Sequence, residues 1–215
     1  MNALFVAVDT CTREMINRYS CLRALRIDLF YKRNSFRFQR SDYRQLEYDV
    51  RVLMQEMMEQ KGVVGYFWVI EWTIDHGWHA HVAFWLDDHI TQTTWPTCEK
   101  ASVIWKSITE QEGGFHWCKF KENYQADINI PVCYNDPYSI ENIHQVLGYL
   151  AKEEQKDGFY IYGCSEVPPR PTSGRPRAHQ PNCRTSYRSI TGYSNSSFEL
   201  LMLSGITGYY PYQSL

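Results

Sequence analysis

From Leu22 to Tyr31 apolar and polar positions alternate, with Leu25, Ile27 and Leu29 to one side and Arg26, Asp28 and Phe30 to the other. That period of two predicts a half-buried strand. A polar loop follows at Lys32–Ser35, and Ser41 or Asp42 can cap a helix running to about Gln60, with Leu46, Val50, Leu53, Met54 and Met57 as its apolar stripe and Gly62 as its stop. Val63 to Thr73 is rich in β-branched and aromatic residues, Asp75-His76-Gly77 is a turn, and Trp78 to Leu86 is a strand, so these two strands form a hairpin. Pro96 opens a helix to about Glu110, ended by Gly113-Gly114, and Phe115 to Lys121 is the next strand. Residues 122–137 show no regular pattern. Ser139 starts a helix to about Lys156 with its stripe at Ile140, Ile143, Val146, Leu147 and Leu150, and Phe159 to Tyr162 is a last short strand.

The first part of this order, β-α-β-β-α-β, is the split βαβ pattern: an α+β fold whose central antiparallel sheet, of ferredoxin or RRM type, carries helices on one face and leaves the other for a site. Pro168, Pro169, Pro171, Pro176 and Pro181, set among Gly, Ser and Arg, then break the periodicity. The chain is thereby divided into a folded domain over 1–165 and, over 166–215, an extended arm with a Tyr- and Ser-rich tail.

The segment Trp78–Leu86 places His79 and His81 on one face of a strand and Ala80 and Val82 on the other. Two imidazoles held side by side on a rigid strand form half of a divalent-metal site. Glu71 lies on the partner strand, eight residues earlier, and interrupts the apolar run Phe67, Trp68, Val69, Ile70, Trp72. A carboxylate there is costly unless it is exposed or neutralised, and a metal would neutralise it. Two imidazoles and one carboxylate with open positions suit Mg²⁺ or Mn²⁺ acting on a phosphate. His76 and Asp75 are rival ligands in the turn. Tyr149 points away from the apolar stripe of its helix, on the side of Gln145, Lys152 and Lys156. A phenol, with a reference pKa of about 10, becomes a useful nucleophile when a metal polarises the phosphate and a cation such as Lys152 stands one turn away.

Composition adds to this picture. Aromatic residues make up 15% of the 215, with 16 Tyr and 7 Trp, enough both to fill a core and to stack on bases. Net charge is only −2, yet seven basic residues against two acids fall between Arg23 and Arg44, and five Arg with no acid between Pro168 and Arg188. Charge so concentrated suits an electrostatic footprint on DNA phosphates, with Arg23, Arg26, Lys32 and Arg33 on or just after strand one, beside the metal residues, and Arg170, Arg175 and Arg177 in the arm. Seven scattered cysteines without a Cys-x-x-Cys pair, no signal peptide and no bilayer-length apolar run set the expectation of a cytoplasmic protein with free thiols and no membrane contact. No glycine-rich phosphate loop with Lys-Ser/Thr occurs, which excludes a recognisable nucleotide-driven motor.

Strand one, then Glu71…His79-x-His81, then Tyr149-x-x-Lys152 resembles the three ordered motifs of the HUH endonuclease superfamily, named for two His flanking a hydrophobic residue, here Ala80. The stretches LRIDLFY, WHAHVAFWL and GYLAKEE resemble rolling-circle replication initiators, above all the prophage and inovirus gene-2-like proteins, over residues 22–165. The resemblance implies a sheet bearing a metal on His79, His81 and Glu71, with Tyr149 on a neighbouring helix as nucleophile and Lys152 positioning the phosphate. It implies a nickase and ligase that opens single-stranded DNA or an origin hairpin through a 5′-phosphotyrosine, with a host helicase and polymerase as partners. The tyrosine follows the His pair, unlike in conjugative relaxases, and it is single, unlike in the two-tyrosine phage initiators. Three rivals remain: a single-tyrosine transposase, a non-catalytic nucleic-acid-binding domain, and a β-barrel oxygenase, the last disfavoured by the two long helical stretches.

Overall fold

A computed structural model describes residues 3–151 and 161–170. In chain order it contains α1 (Ala3–Arg18), β1 (Cys21–Tyr31), α2 (Phe36–Arg40), α3 (Tyr43–Met58), β2 (Val63–Thr73), β3 (Gly77–Asp87), α4 (Trp95–Ile108), β4 (Gly113–Trp117), β5 (Val132–Cys133), α5 (Pro137–Gly148) with a 3₁₀ turn at Tyr149–Ala151, and β6 (Ile161–Cys164). The sheet runs β4-β1-β3-β2-β6, with β5 pairing the start of β1, and every pairing is antiparallel. β3 is inserted between β1 and β2, the two strands joined by α2 and α3. This is the split βαβ arrangement expected of an α+β fold.

Local chemistry explains the boundaries. Asp42, rather than Ser41, caps α3, its carboxylate accepting from the Arg44 and Gln45 amides. Asp136 caps α5 in the same way, three residues ahead of the expected start at Ser139. Ser139 is buried and its hydroxyl accepts from the Cys133 amide instead. Gly77 closes the β2–β3 turn at φ +65°, a left-handed conformation glycine adopts freely. At Gly114, opposite Phe30, a Cβ would run into the Phe30 ring. α5 ends at Gly148, earlier than its stripe suggested, and Tyr149 opens the tighter turn; glycine is a poor helix residue.

Two apolar clusters flank the sheet. On one face Leu25, Ile27, Leu29, Trp68, Ile70, Val82 and Phe84 meet Leu46, Val50, Leu53 and Met57 of α3 and Trp105 of α4. On the other, Leu22, Ala24, Phe67, Val69, Ala83 and Trp85 meet Leu4, Val8, Cys11 and Met15 of α1 and Ile143 and Leu147 of α5. The second cluster corrects the expectation that helices cover one face only. These strands carry large apolar residues on both sides, and water contact with Phe67, Val69 and Trp85 would cost on the order of 2 kcal/mol each. Helix α1 does not figure in the sequence expectation, although Leu4, Val8, Cys11 and Met15 keep helical spacing. Trp68, Trp85, Trp105, Phe67 and Phe84 are fully buried, so much of the aromatic excess fills the core. No helix among the described residues is long and apolar enough to cross a membrane.

Candidate metal and nucleophile site

The second face is covered by α1 and α5 at one end only. At the other, the register lines up polar residues across the strands. His116 of β4 stands opposite Asp28 of β1, and Asp28 opposite His81 of β3. In the neighbouring row Phe30 stands opposite His79, and His79 opposite Glu71 of β2. Opposed residues of antiparallel strands share a face, so Asp28, Glu71, His79 and His81 converge. They are only 5–8% exposed.

Their hydrogen bonds define the site's character. His79 Nδ1 lies 3.0 Å from the carbonyl oxygen of Gly77, which can only accept, so this nitrogen carries a proton. His81 Nδ1 lies 2.5 Å from Asp28 Oδ1 and donates to that carboxylate. Burial pushes the Asp28 carboxyl up, but the bond to His81 and the charges of His81 and Arg26 outweigh it and hold it well below the usual carboxylate range. With both Nδ1 atoms protonated, the Nε2 atoms of neutral rings are acceptors. Both face Glu71 Oε1, at 3.0 Å from His79 and 2.5 Å from His81. Burial raises the Glu71 carboxyl, and again the bonds to and charges of the two imidazoles more than reverse the shift. Three acceptors in contact require a cation among them.

That cation is either a proton or a metal ion. A proton fits His81: burial pulls its pKa down, but the bonds to Asp28 and Glu71 outweigh this and raise it. A metal ion fits the donor set equally. One ligand atom from each of Glu71, His79 and His81 lies within 4.8 Å of the others. Each imidazole has its second nitrogen fixed by a carboxylate or carbonyl, the support that orients metal-bound histidines and sets their tautomer. The Glu71–His79–His81 group can therefore hold a metal ion. Binding would displace the proton and weaken in acid.

Tyr149 enters from the start of the 3₁₀ turn. Its ring centre lies 6.3 Å from that of His81, edge to face, and the residue is 40% exposed. α5 buries Ile143 and Leu147, and the 3₁₀ turn that follows buries Leu150 and leaves Tyr149 exposed beside His81. The Arg26 guanidinium sits 4.5 Å from the Tyr149 ring centre, with Nη2 3.9 Å from Asp28 Oδ1. Burial raises the phenol's pKa, Arg26 lowers it, and Glu71 and Asp28 raise it, for a net upward shift.

The remaining candidates divide. Arg26 is beside the site. Lys32 and Arg33 follow β1 at the site's end of the sheet, where Lys32 Nζ donates to the Gln111 carbonyl at 2.7 Å and Arg33 to that of Asp75. Arg23 is not beside the site. It is paired with Leu86 in register, five residues from Asp28 and facing the opposite side, and its guanidinium binds Asp88. Five strand residues span roughly 16 Å. Arg170 donates to the Asn17 carbonyl at 2.6 Å, at the end of α1. Lys152, Arg175 and Arg177 lie outside the described residues. Of the rival ligands, His76 is exposed with its ring 5.9 Å from that of His79, and Asp75 is exposed as well.

Asp28 was within reach of sequence reasoning. It is a second carboxylate on a half-buried strand, in phase with Arg26, and the argument made for Glu71 applies to it. Its partnership with His81 depends on the pairing of β1 with β3, which no local pattern encodes. No family model, no curated protein and no solved structure matches the chain.

Proposed function

We propose that this protein is a metal-dependent endonuclease that opens single-stranded DNA with Tyr149 as nucleophile, in the manner of HUH rolling-circle initiators. One observation carries the reading. An exposed tyrosine under an arginine stands beside a buried group of two histidines and a glutamate that can hold a metal ion. Closed structural clusters have no use for that combination.

Glu71, His79 and His81 would hold Mg²⁺ or Mn²⁺, the latter better matched to two nitrogen ligands. When bound, such an ion polarises a phosphate and stabilises its developing charge. Asp28 fixes the tautomer and direction of His81. Arg26 holds the Tyr149 ring and favours its phenolate. The Tyr149 phenol oxygen forms a bond to phosphorus and releases its proton to solvent. The bond from phosphorus to the 3′-oxygen breaks, and that oxygen takes up a proton to become a free 3′-OH. The 5′-phosphate stays on Tyr149. The diester count is unchanged, so attack by a later 3′-OH reseals a strand. Lys32, Arg33 and Arg170 would contact DNA phosphates, and a polymerase would extend the 3′-OH.

The test is incubation with labelled single-stranded DNA and Mn²⁺, followed by denaturing electrophoresis. A covalent protein–DNA band is expected, absent in chelator and in Tyr149→Phe, with the DNA-linked peptide mapping to Tyr149. DNA binding without any adduct would make the protein a non-catalytic nucleic-acid-binding domain. An adduct on another tyrosine would refute the nucleophile and spare the class.

A further inference from the structure

Beside the first group, the same sheet face carries a second set of metal-type donors that the nuclease reading does not use. His116 is the last but one residue of β4 and stands opposite Asp28. Cys118 follows two residues on, its amide bonded to the Arg26 carbonyl at 3.1 Å, so the pairing of β4 with β1 continues past the strand's end. A spacing of two puts His116 and Cys118 on one face, the face that carries Asp28. One ligand atom from each of Asp28, His116 and Cys118 lies within 4.8 Å of the others.

We propose that Asp28, His116 and Cys118 form a second metal site, suited to a borderline-soft divalent ion of the Zn²⁺ class. The donor set decides the metal. Carboxylate, imidazole and thiol together match Zn²⁺ or Co²⁺ and do not suit Mg²⁺, which takes oxygen ligands. Bonds of about 2.0–2.3 Å to a tetrahedral ion bring its ligands to about 3.5 Å from one another, a closure that side-chain rotation supplies. Three protein ligands leave the fourth position to water or an incoming group. The exposure of His116 and the intermediate exposure of Cys118 give an ion a way in. All three donors sit on paired backbone, so only side-chain rotation separates them from the bound geometry. On binding, the thiol proton leaves to solvent, and the metal takes its place.

Asp28 ties the two sites together. One of its oxygens receives His81 Nδ1, and a carboxylate has a second oxygen to offer. An ion on Asp28 withdraws charge from the carboxylate that orients His81, so the second site modulates the first. The soft ion would thereby act as a regulator of the Glu71 site, with a coupling that is reciprocal.

The experiment is titration of the metal-free protein with Co²⁺ under reducing conditions, read by absorption. A thiolate-to-cobalt charge-transfer band in the near ultraviolet is expected in the full chain. It should vanish in Cys118→Ser, with one fewer cobalt ion bound per chain, and weaken severalfold in His116→Ala, whose exposed side chain leaves folding untouched. It should persist in His79→Ala, which removes the first site and makes the outcome independent of the nuclease reading. Excess Zn²⁺ should abolish the band by displacement. No band in the wild type, or a band unchanged in both Cys118→Ser and His116→Ala, would overturn the proposal.

Discussion

Two buried polar clusters sit back to back on this sheet, and their bonding differs in kind. On the α3 face Asp49, 2% exposed, is surrounded by donors. The Tyr31 hydroxyl donates to it at 2.8 Å, Arg37 Nη1 at 2.7 Å and Gln45 Nε2 at 3.0 Å. Every partner is a donor meeting an acceptor, and the cluster is closed. On the opposite face Glu71 meets two imidazole nitrogens whose rings have already spent their protons on Gly77 and Asp28. With neutral rings, acceptors meet an acceptor, and the cluster takes up a cation, either a proton on His81 or a metal ion. A closed cluster serves the fold. An open one, built at the cost of burying charge, can take up a metal ion.

The sharpest way to break this comparison is to remove the open cluster's donors. His79→Ala or His81→Ala should abolish nicking, and Glu71→Ala should do nearly as much harm with partial rescue by excess Mn²⁺. All three should keep the fold and lose the rise in melting temperature expected of the wild type with Mn²⁺. Circular dichroism melts with and without metal check this. A variant that melts far below the metal-free wild type would mean that the open cluster is structural after all.

The second expectation reverses the pattern. Asp49→Ala removes the acceptor that the Arg37 guanidinium and the Tyr31 hydroxyl share and should cost about 3 kcal/mol of stability. Metal affinity should be unchanged, since Asp49 lies across the sheet from the histidines. Denaturant unfolding and a metal titration on one sample decide it.

Arg26→Gln comes next. It removes the cation over Tyr149, so the phenol should ionise less readily and cleavage slow by roughly ten- to a hundredfold, with adducts still formed. The rate should recover as pH rises, because Arg26 lowers a pKa that burial and the two carboxylates raise. A pH–rate profile identical in shape to that of the wild type would count against the pairing.

The smallest effect belongs to Tyr31→Phe, which should cost about 1 kcal/mol near neutrality. Burial, and then the bond to Asp49, raise the Tyr31 phenol above its ordinary value of 10.0. A raised pKa stabilises the fold fully below the unfolded value and loses that contribution as pH climbs through the folded one. The wild type's advantage over Tyr31→Phe should therefore hold to about pH 10 and shrink above it. Urea midpoints at about pH 8 and about pH 11 measure the difference.

Much of this molecule is written locally. Alternation in Leu22–Tyr31 and the hairpin of Val63–Leu86 expose their strands because a strand's period of two is a property of the backbone. His79 and His81 share a face for the same reason, and a turn of known length brings Glu71 back opposite His79. Helical spacing separates Tyr149 from the apolar stripe of Ile143 and Leu147, although the helix gives way to a 3₁₀ turn at Tyr149 itself. Where a signal was present but weak, as in Leu4–Val8–Cys11–Met15 of α1, only the sheet's second apolar face explains why that helix must exist.

What the tertiary structure alone decided is partnership across strands distant in sequence. Asp28 and His81 are 53 residues apart, and the bond between them exists because β3 slots between β1 and β2. Arg26 looks like one more basic residue in a basic stretch until the end of α5 lays Tyr149 beneath it. His116 and Cys118 gain meaning from β4 pairing β1, which sets them around the carboxylate that steadies the histidines. Residue types and periods are local and can be read along the chain. Which donor meets which acceptor depends on strand order, and strand order is settled by the packing of two apolar faces that no single segment contains.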